Sequence, residues 1–127
     1  MSDKTDISRI FQQDTIVVPA HPKGFQEVFL GERRWQNLKI DKRRLSFLKF
    51  IAVYQTAPVS AITHYGTIER LFPLERTGRF DLTLQDSPFE LTHVRYTQSD
   101  TCAIQGPRYT RLECILSARH LAHAFPV

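Results

Sequence analysis

Residues 50–55, FIAVYQ, limit the fold more than any other stretch of the chain. A β-strand turns successive side chains to opposite faces. A run that is apolar on both faces therefore needs cover on both sides, which places this strand inside a sheet and not at its edge. The predicted strand, 49–55, is broken at Ala57-Pro58, and a second strand follows in SAITHYGTIERLF (60–72). Gly66 within it signals a bulge or a close backbone approach. RFDLTLQ (79–85) alternates, with Phe80, Leu82 and Leu84 inward, and PFELTHVRY (88–96) reads as a fourth strand of this block. The links at 56–59, 73–78 and 86–88 are short, which favours antiparallel neighbours.

Before this block, TIVVP (15–19) is a β-branched run closed by Pro19. HPKGFQEVFLG (21–31) reads as a helix. Pro22 sits near its first position, Phe25, Val28 and Phe29 share a face, and Gly31 closes it. Trp35 to Ile40 is extended, and Asp41 caps a single turn carrying Leu45 and Leu48. Residues 1–13 either form a short helix, with Ile7, Ile10 and Phe11 at i, i+3, i+4, or stay loose. At the other end, YTRLECILSARHLAHAF starts like a helix. Thr110 and Glu113 make a T-x-x-E capping box, and Leu112, Ile115, Leu116 and Arg119/Ala122 form one stripe. Strands clustered mid-chain between helices give an α+β fold, open or closed into a barrel.

The chain has 127 residues, 42% hydrophobic and 24% charged, which suits one globular domain over 1–127. Its net charge of +4 permits nucleic acid, an acidic protein or a membrane surface as partner. The distribution is more telling. Residues 33–49 carry Arg33, Arg34, Lys39, Lys42, Arg43, Arg44 and Lys49 against one acid, Asp41, so this segment alone reaches +6. Cys102 and Cys114 form no CxxC pair, which fits a reduced, intracellular setting. MSDKTDISRIFQQD is too polar and acidic for a signal peptide, and FIAVY is too short to span a bilayer. The expectation is a soluble, cytoplasmic protein without a membrane partner.

The order of a helix, a tryptophan segment, a basic turn, an apolar strand ending in an aromatic, and a strand containing Gly resembles the PUA-like superfamily, in particular its EVE and YTH branches; the ASCH branch of the same superfamily includes some hydrolases. The residues that carry the resemblance are Trp35 in RRWQNL, Tyr54 in IAVYQT and Gly66 in ITHYGTIERL, over roughly 21–85. It implies a mixed, mostly antiparallel β-pseudo-barrel of five to six strands with flanking helices. It also implies a pocket between the tryptophan segment and the end of the central strand, where relatives often receive a flipped, unpaired or modified base. Two departures stand out. Ser46-Phe47-Leu48-Lys49 replaces the Gly-Asp turn of the EVE pattern, and a single tryptophan leaves Tyr54 or Tyr65 to serve as a second aromatic wall.

In such a site a basic rim neutralises phosphates without reading sequence. Arg33, Arg34, Lys39, Lys42, Arg43 and Arg44 are the candidate rim, with a solvated basic turn as the plain alternative. Trp35 is the candidate stacking wall, or else a half-buried core residue. Gln55 and Thr56, at the strand end beside Tyr54, are placed to read a base edge. His120 and His123 stand at i, i+3 without a third ligand, so no metal is expected. His64 and His93 read as packed, hydrogen-bonded histidines. No nucleophile elbow, zinc-protease helix or phosphate-binding glycine loop occurs, and no cofactor is implied. The sequence thus favours a module that binds RNA or DNA over an enzyme. An ASCH-type hydrolase of a modified nucleoside and a protein–protein regulator are the alternatives.

Overall fold

The computed structural model describes residues 13–97 and 104–126. Among them the strands are β1 (Thr15–Ala20), β2 (Arg34–Lys39), β3 (Phe50–Gln55), β4 (Ala61–Leu74), β5 (Arg79–Leu84), β6 (Phe89–Arg95) and β7 (Arg108–Thr110). They form one curled mixed sheet in the order β2-β5-β4-β3-β1-β7, with β6 also paired to β4. The pairing of β1 with β3 is parallel and every other pairing is antiparallel. This is the expected α+β pseudo-barrel; the three-residue β7 takes the strand count to seven.

The long β4 generates the curl. Its first half pairs with β3 and β6, and its second half, Ile68–Leu74, pairs with β5. The pseudo-barrel interior is filled by Ile16, Val18, Leu38, Ile51, Val53, Phe80, Leu82 and Leu84, with Phe25 and Phe29 from the preceding helix. The opposite face of β1, β3 and β4 carries Val17, Ala52, Tyr54 and Ile62, covered by Leu91, Val94, Ile104, Ile115, Leu121 and Ala124. Both faces of β3 are thus buried, as its composition demands. Phe80, Leu82 and Leu84 point inward as expected. Gly66 is a site of close approach: a Cβ there would lie 3.0 Å from both methyl carbons of Leu84.

Several local expectations are corrected. Helix α1 begins as an α-turn, Pro22–Gly24, and continues as a π-helix, Phe25–Leu30. Gly31 donates to the Gln26 carbonyl in π register at a right-handed φ of −75°, and the left-handed residue past the helix is Arg33, at φ 55°. Asp41 does cap a turn, the 3-10 segment Lys42–Phe47. The link at 86–88 does not join paired neighbours, because β5 and β6 both pair with β4.

The C-terminal segment departs furthest. Thr110 is no cap; it pairs with Thr15 in the sheet, and its hydroxyl donates to the Ala124 carbonyl. Helix α2 is only Leu112–Ser117, with Arg111 at its N-cap position and Leu116 exposed. The chain turns extended at Ala118, and a 3-10 turn, Leu121–Ala124, brings Leu121 and Ala124 onto the second core. Six residues cannot sustain a helix alone, so packing decides where it stops. Residues 1–12, including the stripe Ile7, Ile10 and Phe11, lie outside the described residues, as does Cys102.

Asp14 ties this segment down. Its carboxylate oxygen Oδ1 accepts from the Thr15 hydroxyl at 2.8 Å and from the Leu112 amide at 3.0 Å. Its carbonyl accepts from the amides of Lys49 and Phe50. One residue therefore supplies the missing cap of α2 and registers β3. Asp14→Ala is expected to lower unfolding stability by about 1–2 kcal/mol in urea titration, with Asp14→Asn costing less. An Ala variant as stable as the parent would contradict this role.

Candidate nucleic-acid interface

The basic segment 33–49 runs along β2 and through the 3-10 turn. Arg33, Lys39, Lys42, Arg43 and Lys49 are exposed, and Arg34 and Arg44 are half-buried. Not all of this charge is free. Arg34 pairs with Glu32 at 3.0 Å, and its Nε is buried without a hydrogen-bond partner. Arg43 closes on Asp41 with Nη2 2.9 Å from Oδ2, while Asp41 Oδ1 accepts from the Arg43 amide at 3.0 Å. The Arg43 side chain, then its amide, hold the Asp41 carboxyl below its usual range. Arg44 lies 4.2 Å over the Tyr109 ring and bonds Gln13. The Asp41 amide donates to the Tyr109 hydroxyl at 3.0 Å, so the whole turn is anchored on β7. Arg33, Lys39, Lys42 and Lys49 form no ion pair among the described residues. An open cleft of about 420 Å³ lies against the turn, lined by Lys39, Ile40, Asp41, Pro107 and Tyr109.

Trp35 is half-buried against the barrel interior, edge-on to Phe29 at 6.2 Å. From it an aromatic file runs beneath α1: Phe29 to Phe25 at 5.6 Å, then Phe25 to the His64 ring at 4.8 Å. Tyr54 does not join it. It is 1% exposed and belongs to the second core, on the opposite face of β3. Strand alternation sends Tyr54 and Gln55 to opposite faces, so Tyr54 cannot be the second wall of a pocket that Gln55 serves. Tyr65 is also remote from Trp35; it stacks on Phe89 on the second face.

Gln55 and Thr56 do meet other polar groups, at the mouth of the pseudo-barrel. Gln55 Nε2 donates to the Thr63 hydroxyl at 2.7 Å, and the Thr63 oxygen lies 2.8 Å from His64 Nδ1. The Thr56 hydroxyl lies 3.2 Å from His21 Nδ1, at the start of α1. Thr63 and His64 are successive yet both serve this cluster. A register shift makes this feasible: Val53 faces His64 and Tyr54 faces Ile62, so Thr63 is the extra residue. Thr63 accepts from Gln55, and its hydroxyl shares a second hydrogen bond with His64 Nδ1 whose direction follows the His64 tautomer. Burial pushes the His64 pKa below 6.5, opposed by Glu90, its partner across β6, and reinforced by His93. His93 itself sits 3.4 Å from Glu90.

The expectation of a packed, hydrogen-bonded His64 is thus met, while Thr63 had no visible signal, since nothing in T-H marks a bulge. The His120 and His123 rings lie 3.8 Å apart, tilted by 44°, and no group of three or more metal-ligating side chains exists among the described residues. No helix among them is long and apolar enough to cross a membrane.

No family model matches the sequence, and no curated protein matches it. Solved structures do match in shape. A serine-to-alanine mutant of the protein ZmASCH from Zymomonas mobilis superposes with a TM-score of 0.57 at 14% identity, covering 80% of this chain and 92% of that one. ASCH from the same organism gives 0.53 at 14% identity over 79% and 90%. The chain therefore shares the fold of these ASCH structures, the PUA-like fold that its sequence resemblance implies.

His64 gives the local test. Its imidazole is expected to titrate below 6.5 by NMR, because burial disfavours the charged ring. With the folded midpoint depressed, the stability His64 contributes is complete above pH 6.5 and is lost as pH falls through the folded midpoint. A wild-type midpoint at or above 6.5 would contradict the arrangement.

Proposed function

We propose that this protein is a nucleic-acid-binding module. Phosphates dock on segment 33–49, and an unpaired base is held at the barrel mouth beneath α1, with Trp35 on one side and the Gln55–Thr56 strand end on the other. The observation that carries this reading is that one continuous segment supplies both the exposed cations and the tryptophan that opens the aromatic file to His64. The PUA-like fold supports it, since the file lies between α1 and the pseudo-barrel.

The parts divide the work by chemistry. Arg33, Lys39 and Lys42 are free to meet phosphates and release counterions, which gives affinity without sequence preference. Arg43 and Arg44 are half-committed to Asp41 and Tyr109; they hold the turn in shape and lend charge. Gln55, Thr56 and His64 present hydrogen-bonding groups for the edge of a base taken out of its stack. Tyr54 supports β3 from behind and touches nothing bound.

Charge reversal at exposed positions tests this without disturbing the core. Lys39→Glu with Lys42→Glu is expected to weaken binding to single-stranded RNA and DNA about tenfold near 0.1 M salt. The slope of log affinity against log salt should become shallower by about 1–2 units. An unchanged affinity and slope would sink the proposal.

A further inference from the structure

The outward face of β2, β5 and β4 is a three-by-three grid that residue spacing alone does not reveal. Register puts Arg34, Thr83 and Arg70 in one row and Lys39, Arg79 and Leu74 in another. Between them, the β2 bulge at Gln36 and Asn37 faces Asp81, and Asp81 faces Phe72. The inward partners of these strands, Trp35, Leu38, Leu71, Phe80 and Leu82, all belong to the barrel interior, so the grid faces solvent. Phe72 is 43% exposed on this face.

Two features mark the grid as a binding surface. Lys39 stands directly across from Arg79, and like charges opposite one another on a sheet are destabilising. Neither has an ion pair among the described residues, and neither does Arg70. Among the described residues the Arg79 guanidinium donates to the Asn37 carbonyl, at 3.0 Å. An arriving anion would relieve the repulsion. The carboxylates at the grid are engaged within it: Glu32 with Arg34, Asp81 with the Asn37 amide at 2.9 Å, and Glu69 with the Thr83 hydroxyl at 3.1 Å. The two cationic rows are four residues apart on β5, about 13 Å at the antiparallel strand rise. Phe72 falls midway between them.

We infer that this face is a second contact surface for single-stranded nucleic acid, with the backbone held by Lys39, Arg70 and Arg79 and one base stacked on Phe72. The inference rests on the reading of the chain as a nucleic-acid-binding module and extends its footprint from segment 33–49 onto β4 and β5. A single strand is the occupant because a duplex keeps its bases stacked and offers no face to Phe72. Asp81, in the central row, stands where a base amino group rather than a phosphate would pass.

The test uses fluorescein-labelled oligouridylate, a matching RNA duplex and fluorescence anisotropy on the whole chain. Phe72→Ala is expected to weaken single-strand binding about tenfold, the worth of one base–aromatic stack, and to leave duplex binding unchanged. Arg70→Glu with Arg79→Glu should weaken both and flatten the salt slope by about 1–2 units. Circular dichroism and urea titration confirm that the exposed substitutions leave the fold intact. If the wild type binds but none of these variants differs from it, this surface is overturned and the 33–49 reading stands. If the Arg variant weakens binding while Phe72→Ala does not, the stacking surface is likewise overturned. If the wild type binds no nucleic acid, both readings fall together.

Discussion

The fold depends on burying both faces of the parallel pair β1 and β3. Parallel strands are stable where layers cover them on both sides. Here Ile16, Val18, Ile51 and Val53 fill the barrel interior, while Val17, Ala52 and Tyr54 need a second layer, supplied by β6, α2 and the last 3-10 turn. Every later feature follows from serving both sides. Strand β4 bends so that its first half lies between the two cores and its second half lies over the barrel interior alone. Asp14, just before β1, binds β3 by its carbonyl and α2 by its carboxylate, which joins the two layers at one residue.

Where cover on one side suffices, the surface becomes free for other use. Strands β2, β5 and the end of β4 bury only their inward faces. Their outward positions therefore carry the cations and Phe72 at no expense to the core. The bulge in β2 is held by Asn37 at φ 55°, its amide on Asp81 and its carbonyl on Arg79. The mouth uses the same device. One extra residue in β4 turns Thr63 and His64 to the same cluster, and the bulge replaces an apolar position with a buried hydroxyl that Gln55 satisfies. In both places an irregularity in pairing puts polar groups where regular alternation would not.

The sequence made most of the strands legible because they are apolar in the right period and closed by a turn, while β7 lay inside a stretch that reads as a helix start. FIAVYQ announced two-sided burial, RFDLTLQ showed its inward side, and Asp41 marked its turn. What it could not show were effects of partners distant in the chain. Thr110 and Glu113 spell a capping box, yet Thr110 is drawn into the sheet by Thr15 and the cap comes from Asp14. The π register of α1 has no local signature. For the candidate site, Gln55, Thr56 and the basic segment were visible from composition and position. Tyr54 was misplaced because a run apolar on both faces does not say which face meets which core. Arg70, Phe72 and Arg79 were invisible because only register brings them beside Arg34 and Lys39.

The central claim is that Trp35 stands at a nucleic-acid site, and the most direct measurement is its fluorescence. As the only tryptophan, it reports without labelling. It would be titrated with single-stranded and duplex RNA and DNA at two salt concentrations. The account predicts quenching by single strands, with an affinity that falls as salt rises. A blue-shifted emission indifferent to all four ligands would make Trp35 a core residue only and contradict the account.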